Sequence, residues 1–150
     1  MKKTTEGHIT AFYIEALLLV ITFVAIILVL SKVFSASLKR SQEAVTLTTA
    51  VALSQKAAEA FSYGKTPEKT AEVLNDGGNV VWDAASQKVI GTYAKEGTPD
   101  PNGPLHLEMT FEEEQDDQDL LRICQISVTD ETGKLIYSLS EAVYLKEVAP

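Results

Sequence analysis

Between His8 and Tyr63 the chain contains neither glycine nor proline, and all five prolines and seven of the eight glycines lie at Gly64 or beyond. These two residues are the strongest local breakers of regular structure. Their absence excludes turns from the first third of the chain and predicts that it is built as helix.

Cysteine is nearly missing as well. Cys124 stands alone, so an intramolecular disulfide and a cysteine-based zinc site are both excluded. Between Ile123 and Ile126 in a predicted strand, it reads as a small buried apolar residue and not as a nucleophile. Histidine is scarce too: His8 precedes a long apolar run, and His106 sits at a polar position of a predicted strand. There is no Ser-His-Asp order, no phosphate-cradling glycine loop before a helix and no His/Cys cluster with metal-ligand spacing. An enzyme is not expected, and no cofactor is implied.

Positive charge is in deficit, with 13 Lys and Arg against 21 Asp and Glu. Residues 1–30 hold Lys2, Lys3, Glu6 and Glu15, two of each sign, so the whole net charge of −8 belongs to residues 31–150. A surface that acidic repels DNA, RNA and anionic lipid heads, so nucleic acid is not expected as a partner.

What the sequence does have is one long apolar run. Residues 11–30 carry a single charge, Glu15, and as a helix they span about 30 Å, enough to cross a bilayer. Membrane lipid is therefore the first predicted partner. A cleavable signal peptide competes with this reading, because Ser35, Ala36 and Ser37 are small residues of the kind a signal peptidase accepts. Its apolar region is usually only about 7–15 residues long, which favours a retained anchor. Lysines 2 and 3 before the run nearly balance Lys32, Lys39 and Arg40 after it. The short tail places the N-terminus inside and the C-terminal domain outside the cell membrane, as a single-pass protein.

After Ser31 the apolar pattern narrows to one face. Leu47, Val51, Ser54, Ala58 and Phe61 recur at steps of four and three, with Arg40, Glu43, Lys56 and Glu59 away from the stripe. The stripe Leu47, Val51, Ala58 and Phe61 could cover the sheet that follows or meet a neighbouring subunit. Covering the sheet is favoured, because an apolar sheet face needs a partner layer.

Thr66, Pro67 and Glu68 have the order of a helix start, and Asn75 to Gly78 that of its stop, predicting a short helix of about two turns. Beyond Gly78 the period becomes two. Strands are predicted over residues 80–82, 88–93, 105–111, 121–129 and 135–139, with a further apolar stretch at 142–145. Gly133 suits the positive-φ position of the hairpin loop 130–134. Two segments are predicted to be irregular: the Pro- and Gly-rich residues 96–104, and residues 112–119, which read EEEQDDQD.

The fold class is thus α+β: a short tail (1–10), a transmembrane helix (11–30), its amphipathic continuation (31–62) and an extracytoplasmic domain with a C-terminal antiparallel sheet (63–150). The segment AFYIEALLLV from Ala11, the long glycine-free helix and the sheet together resemble a type IV pilin-like protein. Within that family the pattern is similar to a minor pilin or pseudopilin of a pilus, competence or type II secretion machine. The resemblance implies a prepilin with an assembly role for Glu15, the acid that meets the free amine of a neighbouring subunit. It also implies processing just before the apolar run and other pilin-like subunits as partners in a surface filament. The processing motif departs from the family's: with Glu15 in register, cleavage falls between Thr10 and Ala11, and Thr10 stands where the family has Gly. The nearest glycine, Gly7 before His8, is three residues too early.

The acidic run could gather oxygen ligands for calcium, with Asp116, Asp117 and Asp119 as candidates, and Asp100 with Asn102 forms a second possibility. Composition favours a solvated hairpin loop whose charges guard two strand ends. Trp82 and Tyr93 could form a binding patch, but in so small a domain large aromatics are needed to fill the core. The leading expectation is a structural subunit that inserts by its helix and assembles helix against helix. The alternative is a signal-anchored extracytoplasmic binding module that never polymerises.

Overall fold

The computed structural model describes the backbone of residues 5–75, 77–116 and 119–145, and the side chains of residues 11–75, 77–115 and 120–145. It is an α+β chain: a long helix α1 (Thr5–Gly64), a short helix α2 (Pro67–Leu74) and five strands, β1 (Val80–Asp83), β2 (Lys88–Tyr93), β3 (Leu105–Asp116), β4 (Asp119–Thr129) and β5 (Leu135–Leu145). Two compact units divide at Glu43 and Ala44, and α1 contributes to both.

The first unit, up to Glu43, is helix alone in its described part. Every side chain from residue 11 to residue 43 is exposed. Two of its hydroxyls bond back along the helix, Thr22 donating to the Leu18 carbonyl at 2.9 Å and Ser31 to the Ile27 carbonyl at 2.9 Å.

In the second unit the last turns of α1 lie on the sheet. Ala50, Leu53, Ser54, Ala57, Ala58, Ala60 and Phe61 are buried, and five of these seven are small. The buried face is turned relative to the expected stripe. Ala58 and Phe61 are in the core, but Leu47 is 45% exposed and Val51 only half-buried. Ser54, Ala58 and Phe61 of the expected stripe are buried, joined by Ala50, Leu53, Ala57 and Ala60 beside it.

α1 stops at Gly64 because the chain turns sharply there. Lys65 takes φ +58, and its amide donates to the Phe61 carbonyl at 2.8 Å. A Cβ on Gly64 would stand 2.8 Å from the Thr70 nitrogen, so glycine is needed for the close approach of α2 and not for its own φ. The start of α2 follows the sequence: Thr66 caps it, its side chain accepting from the Lys69 amide, and Pro67 is its first residue. Thr66→Ala is expected to cost about 1 kcal/mol, measured as a shift in the denaturant midpoint of the full-length protein in detergent.

The sheet is an antiparallel meander in the order β1-β2-β3-β4-β5. Along β3, Leu105, Leu107 and Met109 point into the core, opposite Val128 and Ile126 of β4. His106, Glu108 and Thr110 alternate with them on the outer face. Tyr93 is 1% exposed, and Trp82 packs on Phe111 with ring centroids 6.1 Å apart, so both aromatics serve the core.

Two expectations are corrected. Residues 112–116 are not a loop: they continue β3, register by register, opposite residues 119–123 of β4. Backbone pairing tolerates a charged run because successive side chains leave on opposite faces, and the partner strand supplies Leu120, Leu121 and Ile123. The stretches 135–139 and 142–145 are likewise one strand, since Ser140 and Glu141 pair with Gln125 and Cys124 without a break. Of the acidic tip, Asp117 lies outside the described residues, as do the side chains of Asp116 and Asp119.

The hairpin between β4 and β5 is fixed by Asp130. One carboxylate oxygen accepts from the Thr132 hydroxyl at 2.6 Å and from the amides of Thr132 and Lys134. The Thr132 hydroxyl, then the Lys134 amide, hold this carboxyl below its ordinary range. Gly133, at φ +79, occupies the left-handed position.

Candidate functional site

The sequence nominates three places, and each can be judged by its geometry. The first is Glu15. It lies on α1 in a shallow surface depression bordered by Ala11, Ile14, Leu18, Leu19 and Thr22, all neighbours on the same helix. Among the described residues it has no hydrogen-bond or ion-pair partner. A lone carboxylate in an apolar field is costly in lipid and calls for a partner from another molecule or for placement at headgroup depth. Phe12 and Tyr13 lie one turn before it, their rings edge to face at 6.2 Å. The proposed processing residues Gly7, His8 and Thr10 fall where only the helical backbone is described; Ala11 is exposed.

Around Glu15 lies the dominant surface of the first unit. Phe12, Ile14, Leu17, Leu18, Leu19 and Val20 are each more than half exposed, and the pattern continues to Leu30. α1 is long and apolar enough to cross a membrane, and no part of its apolar window is covered by the rest of the chain. A signal sequence near an N-terminus meets the same length criterion; the helix at the centre of a soluble domain would be covered.

The second place is the acidic hairpin of β3 and β4. Glu112 and Glu114 lie on the outer face and Glu113 on the inner one, because a strand alternates. Glu113 is held by Arg122, whose guanidinium also donates to the Lys65 carbonyl. The run is thereby split between two faces, with one acid already neutralised. No group of three or more His, Cys, Asp or Glu arranged to hold a metal occurs among the described residues. In the other candidate loop the Asp100 carboxylate accepts the Asn102 amide at 2.9 Å, closing a turn.

The third place is the pair of potentially reactive side chains. His106 is half-buried on the outer face, between Thr92 of β2 and Thr129 of β4. Cys124 is fully buried, and burial, aided by the nearby Glu141 carboxylate, pushes its thiol up to about 12. The reactive thiolate is thus withheld at neutral pH. Alkylation by iodoacetamide is expected only after unfolding, read as mass added with and without denaturant. The raised value has a stability consequence as well. The neutral thiol favours the folded state fully below pH 9 and progressively less as pH rises from about 9 to about 12. Cys124→Val should therefore lose less stability than wild type across that alkaline window.

Sequence reading did not single out a groove of about 490 Å³ in the second unit, bordered by Thr66, Glu68, Trp82, Gln87, Phe111 and Arg122. Its parts come from α2, β1, β3 and β4, and no spacing in the chain connects them. Arg122 is already engaged there by Glu113 and Lys65.

Comparison of the chain with protein families, with curated proteins and with solved structures gives no match.

Proposed function

We propose that this chain is a membrane-anchored structural subunit of the type IV pilin-like kind, inserted by the first half of α1 and acting by helix-to-helix assembly. The observation that carries the reading is an apolar, wholly uncovered helix whose later turns form the inner layer of an antiparallel sheet domain. Glu15, unpartnered among the described residues, supplies the one polar feature that a neighbouring subunit could answer. On this reading the chain spans the cell membrane once, N-terminus inside, with the sheet domain outside.

A second reading has its own observation. Thr10 occupies the place where a prepilin has glycine, and this favours an uncleaved signal-anchored module that presents its acidic sheet to a partner. The two separate in one experiment: the mass of the mature N-terminus is measured with and without a prepilin peptidase. A new terminus at Ala11 or His8 supports the pilin-like subunit, and an intact Met1 supports the anchored module. Glu15→Leu is then expected to leave insertion intact and to abolish cross-linking between helices of neighbouring copies; unchanged cross-linking removes the assembly role from Glu15.

A further inference from the structure

The sheet has two open edges, and they are finished differently. β1 ends after four residues. β5 runs for 11 residues, and no strand pairs with its outer side among the described residues. A row of unpaired amides and carbonyls is a template for another strand, and monomeric proteins blunt such edges with proline, lysine, bulges or brevity. β5 has no proline, no lysine and no glycine. Its only charge is Glu141, in a chain where 23% of residues are charged. The one irregularity of register, at Val128 and Thr129, touches only its first residues.

The side chains are as open as the backbone. Leu135 is 55% and Tyr144 60% exposed, and Tyr137, Leu139 and Val143 are only partly covered by the core. The strand is also nearly symmetric about Ser140 in residue class, though only one pair is identical. Leu135 matches Leu145, Ile136 matches Tyr144, Tyr137 matches Val143 and Ser138 matches Ala142. Only Leu139 against Glu141 breaks the match.

We propose that β5 pairs with β5 of a second copy, antiparallel about a two-fold axis through Ser140, joining two five-stranded sheets into one. A two-fold axis at Ser140 sets apolar beside apolar or small beside small at four of the five flanking pairs, so the same patch serves both copies. Tyr137 then lies beside the second copy's Val143 on the core side, while Ile136, skipped by the register irregularity, packs against its own core. Such aromatic and β-branched pairs are those that hold neighbouring strands together. Glu141 lies beside Leu139, with its own symmetry mate diagonally across the axis on the same face. That carboxylate pair is the one unfavourable feature, and it keeps the pairing reversible. This inference is independent of whether the helix assembles in a filament.

The test uses the full-length protein in detergent micelles, with dimerisation followed by sedimentation and folding by circular dichroism. Ser140 is exposed on the outer face, with Gln125 of its own chain on one side and its symmetry mate on the other, so Ser140→Lys and Ser140→Glu fold normally. Each alone is expected to weaken dimerisation at least about tenfold through like charges face to face. An equimolar mixture of the two restores it as a heterodimer. Glu141→Gln tightens the wild-type dimer up to about fivefold. Ser140→Cys cross-links to itself on mild oxidation, while Cys124 remains buried. A chain that is monomeric at every accessible concentration overturns the proposal. So do copies that associate through α1 alone, which leaves dimerisation indifferent to residue 140.

Discussion

Arginine at both Ile21 and Val24 is expected to release the full-length chain from membranes into the alkaline carbonate wash, where the unaltered chain stays in the pellet. Residues 11–30 hold 14 Leu, Ile, Phe and Val side chains, worth about −0.3 to −0.6 kcal/mol each on insertion scales, a sum of about −4 to −8 kcal/mol. An arginine near the centre of a span costs about +2.5 to +3.5 kcal/mol. Two of them, with two apolar residues lost, bring the sum near zero or above. One should leave insertion partial. Ile21 is 59% and Val24 49% exposed, so neither is held by the rest of the chain and the sheet domain should fold unchanged. Arginines at Ser35 and Ser37, beyond the apolar run, should leave the chain in the pellet. Release by that control pair would mean that the segment 11–30 is not what holds the protein.

Gly103→Ala is expected to produce the largest loss of stability available from one added methyl group. A Cβ at Gly103 would stand 2.1 Å from the Tyr93 carbonyl oxygen and 2.2 Å from its carbon. Both are backbone atoms at the end of β2 and cannot swing aside. The loop around them is tied at several points: Ala94 donates to the Thr98 carbonyl, Asp100 to that of Thr92 and Gly103 to that of Asp100. Relief would therefore move Tyr93, one of the largest fully buried side chains, together with the strand that carries it. Overpacking usually costs about 1–3 kcal/mol, and a backbone collision in a tied loop belongs at or above the top of that range. Gly133→Ala is the control. Nothing lies within 4 Å of its added Cβ, so it carries only the left-handed φ penalty of about 1–2 kcal/mol. Denaturant midpoints of the two variants, compared in detergent, should differ clearly, and equal midpoints would refute the collision.

The elements whose signals are local were readable from residues alone. A stretch without Gly or Pro became α1, Thr66 and Pro67 opened α2, and residues 88–93 formed β2 with the limits expected. Where tertiary pairing overrides composition, reading failed. Six acids in eight positions suggested a loop, yet Glu112, Glu113 and Glu114 are strand residues because β4 offers a ladder beside them. Ser140 and Glu141 looked like a break between two stretches but are paired through. The helix stripe was misjudged for a related reason. Period carries the stripe back to Leu47, while the buried face begins at Ala50 and takes in Leu53 and Ala57. As for function, Glu15 and the apolar run are legible because they violate the rules for a helix in water. The groove beside Trp82 is not, because four separate elements build it.

The meander has a bearing on how the domain comes into being. Every strand is hydrogen-bonded to the strand next to it in sequence, so no ladder waits for a distant part of the chain. Contacts this local are the ones that close fastest during folding. As the polypeptide is made, each new strand finds its predecessor already laid down, and the sheet can grow in the order of synthesis. β5 is then the finishing piece. A chain cut short before residue 135 would leave β4, with Cys124 at its centre and Ile126 and Val128 beyond it, as a raw border open to any passing strand.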